Sequence, residues 1–394
     1  MEIILFLAGV FLLTFIIGRL LEKLRIPWIF SALLIGLVLA AYNPFKEITS
    51  STEFSLLAHL GMYFLLFIIG FELNIKEIFR QKNFVIKTTI VVILAETFFG
   101  TLLIHYIFGT PWLIAILVAS SFATVGEAVL LPILDEFKLV KTKLGQTILG
   151  IGVLDDVVEI ITIIAATVII GRSFGHAQFD IWINLLVFAA LIGAVFFLIK
   201  FQSIFKNSHH FFKFKDISSF FLFVIFFIFL FIGIGRYVES AALGAILAGI
   251  ALKNIVPKEK LKFIDSEIRT ISYGFLAPIF FLWVGVDTDV GYLIKFPLLI
   301  LLIMAMTKST KIISSYFMGR KIFGKRKSII LGVSLSVKFS TSIVIIKLLF
   351  ENNIIQSHLY SVLVGTTIAF KFVVPFLLAF LIKRWRIGFS KIKI

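Results

Sequence analysis

The chain has 394 residues, 60% of them hydrophobic and only 15% charged, with a mean hydropathy of +1.09. Soluble domains carry roughly a quarter of their residues as Asp, Glu, Lys and Arg, so an ordinary soluble protein is excluded. Cysteine is absent, which excludes disulfides and thiolate chemistry.

Crossing the hydrocarbon core takes about 20 apolar residues. Thirteen stretches qualify in chain order: 3–21, 27–42, 53–72, 84–107, 111–133, 144–171, 181–200, 217–234, 236–253, 264–286, 291–317, 328–350 and 356–383. The first runs into Arg19 and Lys23 without a small-residue cleavage site, so it reads as a retained span. The expected fold class is therefore an all-α polytopic membrane protein of about 13 transmembrane helices. Alternate connections collect the basic residues, among them Lys76, Arg80 and Lys82, then Lys138, Lys141 and Lys143, then Arg320, Lys321, Lys325, Arg326 and Lys327. The opposite connections hold Lys46, Arg172, Arg236 and Lys295. By the positive-inside rule the basic side is cytoplasmic, with the N-terminus outside and the C-terminus inside. The net charge of +16 is thereby assigned to topology at a lipid bilayer in the cell (inner) membrane, and nucleic acid is not expected as a partner. A short basic tail after residue 383 predicts no cytosolic regulatory domain.

Sliding the chain by 215 residues lays LLPILDEFKLV (130–140) on IIKLLFENNII (345–355) and Asp156 on Lys371. Stretch five starts outside and stretch twelve inside, so the copies are inverted, a pattern of secondary transporters. The domain reading is one integral-membrane unit over 1–394, with inverted repeats at about 27–171 and 236–383 and a linker helix at about 181–200. Both repeats carry polar interruptions. Stretch five reads VASSFATVGEAVLLP, with Ser120, Ser121, Thr124, Gly126 and Glu127; stretch twelve reads GVSLSVKFSTSIVII, with Lys338 among its serines. Unwound backbone at membrane depth is tolerated where it lines a cavity or meets polar groups, so two discontinuous, crossing helices are expected.

The sixth stretch carries Asp155 and Asp156 at its middle, where one charge costs roughly 2.5–3.5 kcal/mol to insert. Consecutive helical residues diverge by about 100°, so the two cannot face the same way. One can meet a cavity while the other reaches a neighbouring helix. A buried carboxylate resists ionising and a nearby lysine favours it, so a proton and a hard cation can compete for the same oxygens.

The order SSFATVGEAVLLPILDEF, TKLGQTILGIGVLDDVVEI, with LLAHLGMYFLLFIIGFELN (56–74) and FLAPIFFLWVGVDTDV (275–290), resembles the monovalent cation:proton antiporters, specifically their Kef/NapA-like branch. The resemblance implies a homodimer with an ion-carrying core that moves as an elevator, and implies Na⁺ and H⁺ as transported ions with no cofactor. Carried over by residue, Asp156 binds the cation and the proton, and Thr124 contributes oxygens at the crossing. Asp155 is expected to pair with a lysine on 291–317, Lys311 fitting the pattern better than Lys308. Relatives carry an Arg-Gly-Glu-like triplet where this chain has Lys338, Phe339 and Ser340, so the positive charge is kept and the acid lost. Glu159, Lys338, Ser121, Lys371 and Glu127 are possible accessory groups, and Glu96 is a further acid at membrane depth. The expectation is an electrogenic antiporter exchanging Na⁺ or Li⁺ for H⁺, not an enzyme: HExxH, GxSxG and Cys/His clusters are missing. A Kef-type K⁺/H⁺ antiporter is the alternative within the class, and a cation channel or non-transporting sensor the alternative outside it.

Overall fold

A computed structural model describes residues 3–23, 26–73, 82–123, 130, 133–135, 137–173, 193, 197, 200, 217–236, 241–256, 258–337, 340–385 and 387. Among these residues all regular structure is helical: α1 (Ile3–Lys23), α2 (Phe30–Ala41), α3 (Thr52–Glu72), α4 (Asn83–Phe108), α5 (Trp112–Phe122), α6 (Lys143–Ser173), α7 (Ile217–Arg236), α8 (Ala241–Ile255), α9 (Lys258–Ile271), α10 (Ala277–Val286), α11 (Val290–Lys295), α12 (Pro297–Leu335), α13 (Ser340–Glu351) and α14 (Ser357–Arg384). Seven helical stretches among the described residues are long and apolar enough to cross a membrane, and α2, α5 and α8 are shorter apolar helices. The expected linker helix at 181–200 lies outside the described residues except for Gly193, Phe197 and Lys200.

The chain divides into two compact units. In the first (1–3, 46–73 and 163–283), α8 packs on both α3 and α7. Its run of Ala and Gly permits backbone contact. A Cβ on Gly70 would strike the Ile246 carbonyl, and one on Gly249 would strike the Phe67 carbonyl. Between helices in lipid, where the hydrophobic effect gives no drive, such close approach supplies the van der Waals packing. The C-terminal end of α3 is capped from this unit: Lys253 Nζ donates to the Glu72 carbonyl at 2.7 Å, and Arg269 pairs with the Glu72 side chain at 2.7 Å. A π turn, Ser272–Leu276, joins α9 to α10.

The second unit (4–45, 74–162 and 284–394) contains α1, α2, α4, α5, most of α6, and α11 to α14. There α4 packs on α5 and α12, and α14 on α12 and α13. The predicted stretch 291–317 divides differently from expectation. Phe296 leaves the helical region and Pro297, with φ already set for a helix start, opens α12. That helix runs on past 317 and breaks at Gly324, whose φ of 78° a residue with a side chain would resist. The two arms then fold back on each other: a Cβ on Gly332 would lie 2.6 Å from Ile312 Cα, and one on Gly319 would lie 2.8 Å from Ser328 Oγ. The second arm, 325–335, is the first half of predicted stretch twelve, and α13 is the second half.

Candidate functional site

The described part of the site lies within the second unit and is built on two short helix ends. Helix α5 stops at Phe122 after 11 residues, and the Ala123 N–H closes back on the Ala119 and Ser120 carbonyls. A β-branched pair and a glycine follow at 124–126, residues that favour helix poorly. The second arm of α12 stops at Leu335, with Ser336 and Val337 in tight turns onto Val333 and Ser334, before α13 begins at Ser340. Helix ends leave carbonyls without intrahelical partners and carry a partial negative charge.

One cation answers both ends. Lys311, on the first arm of α12, is 1% exposed. Its Nζ donates to the Ala123 carbonyl at 2.9 Å and to the Leu335 carbonyl at 2.6 Å. Its Nζ also lies 3.1 Å from Oε2 of Glu96, a carboxylate in the middle of α4 that is itself 1% exposed. Nearby, Ser342 Oγ of α13 donates to the Ser121 carbonyl of α5 at 2.8 Å, tying the two interrupted stretches together. The Ser121 hydroxyl bonds its own helix at Val118. A cavity of about 10 Å³, room for about one water, opens beside Glu96 between Gly100, Ala119, Phe122, Thr307 and Leu363.

Helix α6 is fastened to α5 where Thr162 Oγ1 meets Ser120 Oγ at 3.4 Å. Asp155 lies seven residues before Thr162, about two turns along the same face. Asp155 and Glu159 share that face and are buried, whereas Asp156 points elsewhere and is only half-buried. The adjacent aspartates thus occupy different environments.

Two other sequence candidates lie over aromatic rings. Lys308, half-buried, sits 5.4 Å from the Phe370 ring centre, and Lys371, buried on α14, sits 4.3 Å from the Phe30 ring. Thr124, Glu127 and Lys338 lie outside the described residues. The structure brings the Glu96 carboxylate to Lys311, a pair that the sequence reading did not name. A signal for Glu96 was present: the offset of 215 residues that lays 130–140 on 345–355 takes position 96 to position 311. A third buried lysine had no place in the sequence reading. Lys347 of α13 is fully buried and pairs with Asp287, just past α10, and with Glu351 at 2.9 Å, one turn along its own helix.

Two helix ends thus meet on a buried lysine, and the helix that carries the paired aspartates is attached to one of them. A family model described as "Sodium/hydrogen exchanger, transmembrane" matches residues 9–384. The chain belongs to the sodium/hydrogen exchanger family. This exchanger is 27% identical to "Probable Na(+)/H(+) antiporter 3" of Methanocaldococcus jannaschii, over 92% of each chain. It is 23% identical to the "Na(+)/H(+) antiporter" of Enterococcus hirae, over 98% of this chain and 99% of the other. Its fold matches the solved sodium proton antiporter MjNhaP1 of Methanocaldococcus jannaschii with a TM-score of 0.62 at 17% identity, covering 98% of this exchanger and 96% of that chain. It is a multi-pass membrane protein of a transporter family.

Proposed function

We propose that this exchanger moves Na⁺, with Li⁺ as a second accepted ion, against H⁺ across the cytoplasmic membrane, electrogenically and by an elevator movement within a homodimer. Asp156 binds cation and proton in turn. Asp155, on the buried face of α6, tunes that exchange, and Thr124 supplies oxygens at the interruption. The observation that supports the reading is the attachment of α6, the helix that carries the aspartate pair, to α5, whose end meets the buried Lys311. Two adjacent carboxylates in unlike environments can take up more than one proton per cation released, which supports electrogenic exchange. The names of the two curated relatives support Na⁺ as the cation.

The test uses proteoliposomes with an internal pH dye, challenged with Na⁺, Li⁺ or K⁺ gradients at free and clamped potential. Sodium-driven proton movement that disappears in Asp156→Asn and changes with the clamped potential is expected. Exchange that persists in Asp156→Asn would sink the carrier assignment. A preference for K⁺ would move the chain to the potassium reading, and a conductance uncoupled from protons would make it a channel.

A further inference from the structure

The two arms of α12 meet in a tip that neither the exchange reading nor the Lys311 site uses. Residues 320–327 read RKIFGKRK, five cations in eight positions with no acid among them. Arg320, Lys321, Lys325, Arg326 and Lys327 are all exposed, and among the described residues none of the five is ion-paired. A run this dense repels itself and would splay as an ordinary solvated loop. Here it is held closed. Gly324 turns the chain with a φ of 78°, and Ser328 Oγ donates to the Gly324 carbonyl at 2.9 Å. Between the cations, Phe323 packs edge-on against Phe84 at the start of α4, with ring centres 5.9 Å apart. Lys143 Nζ, at the start of α6, lies 5.9 Å from the same Phe323 ring centre, and Lys143 is exposed as well. The hairpin tip and the starts of two further helices thus present one basic surface on a fixed frame.

The flank of the tip indicates what this surface meets. Phe317 and Ile322 are exposed beside the cations, and the Arg320 guanidinium lies 5.3 Å from the Phe317 ring centre. An exposed aromatic ring with a cation over it suits the boundary between acyl chains and headgroups, where one end is apolar and the other wet. A soluble polyanion would leave Phe317 in water, whereas a lipid leaflet covers the ring and offers phosphates to the cations. Anionic headgroups strengthen such contact by about fivefold for each cation near the membrane surface.

We propose that the tip of the α12 hairpin is a docking surface for anionic lipid headgroups. Arg320, Lys321, Lys325, Arg326 and Lys327 meet the phosphates, and Phe317 and Ile322 sit among the upper acyl carbons. Phosphate alone does not satisfy the surface, because the apolar flank is part of it. Docking is separate from exchange and holds whichever cation the protein moves.

The chain has no cysteine, so Ile322→Cys places a single bimane label at the tip. The labelled protein in detergent micelles is titrated with phosphatidylglycerol or phosphatidylcholine carrying a nitroxide near the top of the acyl chain, and bimane quenching reads which lipid sits at the tip. A preference for phosphatidylglycerol of about fivefold or more is expected at low salt, falling to about twofold or less at about 0.5 M salt. Lys325→Gln/Arg326→Gln/Lys327→Gln should lose most of the preference, whereas Lys262→Gln, at an exposed lysine of α9, keeps it. Equal quenching by the two lipids in the otherwise native protein overturns the proposal, as does a preference that survives the triple change or an equal loss in Lys262→Gln. The native comparison uses no charge variant, so misfolding of the triple variant leaves that refutation intact. Inorganic phosphate should weaken the preference no more than chloride at matched ionic strength; selective loss in phosphate would make the tip a free-phosphate site and refute lipid docking. A tip that neither lipid quenches but whose emission shifts with an RNA oligonucleotide would be a surface for soluble polyanions, which equally refutes it.

Discussion

Gly332→Ala tests whether the hairpin of α12 sets the geometry at Lys311. A Cβ at 332 would lie 2.6 Å from Ile312 Cα and 3.0 Å from the Lys311 carbonyl, both backbone atoms that no rotamer change can move aside. Carbon atoms rest at about 3.5–4.0 Å, so the arms must part by about 1 Å. Leu335 is three residues further along the displaced arm. A 1 Å shift of its carbonyl stretches the 2.6 Å bond to Lys311 to about the limit at which a hydrogen bond survives. Overpacking of this kind costs about 1–3 kcal/mol, and a hydrogen bond to a charged group contributes about 1.5–3 kcal/mol. The combined loss is expected to reach at least about 2 kcal/mol, with exchange slowed about tenfold or more through the misplaced lysine. Melting followed by tryptophan fluorescence in detergent reads the first effect, and sodium-driven proton flux in proteoliposomes reads the second. Gly9→Ala is the control, since a Cβ there meets nothing within 4 Å. Native melting and native flux in Gly332→Ala would refute the reasoning, as would equal losses in the control.

The two lysines of α12 should behave differently. Lys311→Met is expected to lower exchange about tenfold or more by releasing two helix ends, whereas Lys308→Met, which gives up only a contact over Phe370, should stay within about threefold of the native rate; flux assays on both variants check this, and equal losses would contradict it. Lys347→Met should destabilise by about 2–3 kcal/mol, less than the 3–5 kcal/mol of a fully buried broken pair, because the side chains of Asp287 and Glu351 are 30% and 28% exposed. Adding Asp287→Asn to that variant should recover part of the loss in melting, by removing one of two carboxylates left facing each other. No recovery would count against the cluster.

The membrane-spanning helices were readable because long apolar runs follow from the solvent a segment meets, and the solvent acts on each segment separately. The interruption of stretch twelve was readable for a similar local reason: Ser336 and its neighbours compete with the helix for backbone hydrogen bonds, and α13 restarts only at Ser340. The hairpin was less visible, because Phe296 and Gly324 are single residues whose conformations set helix ends without altering mean hydropathy. The Glu96–Lys311 contact lies beyond any local pattern. Nothing near Glu96 in the chain distinguishes it from other acids at membrane depth, and only the long-range offset of 215 residues points to its partner. Lys347 shows the opposite case: Glu351 one turn away is a visible neighbour, but its pairing with Asp287 depends on how α13 packs.

The Lys311 bonds also imply an order of assembly. Its contact with Leu335 closes a loop of 24 residues within one hairpin, whereas its contact with Ala123 spans 188. Short loops close sooner, so the hairpin can form as soon as its second arm enters the bilayer. The end of α5 and the Glu96 carboxylate are synthesised far earlier and must wait in the membrane until that hairpin docks. Each has meanwhile to be sheltered by water, lipid headgroups or the insertion machinery, at a cost of a few kcal/mol for the charge alone. The last third of the chain therefore supplies the lysine that joins a helix end of the first third to its own hairpin.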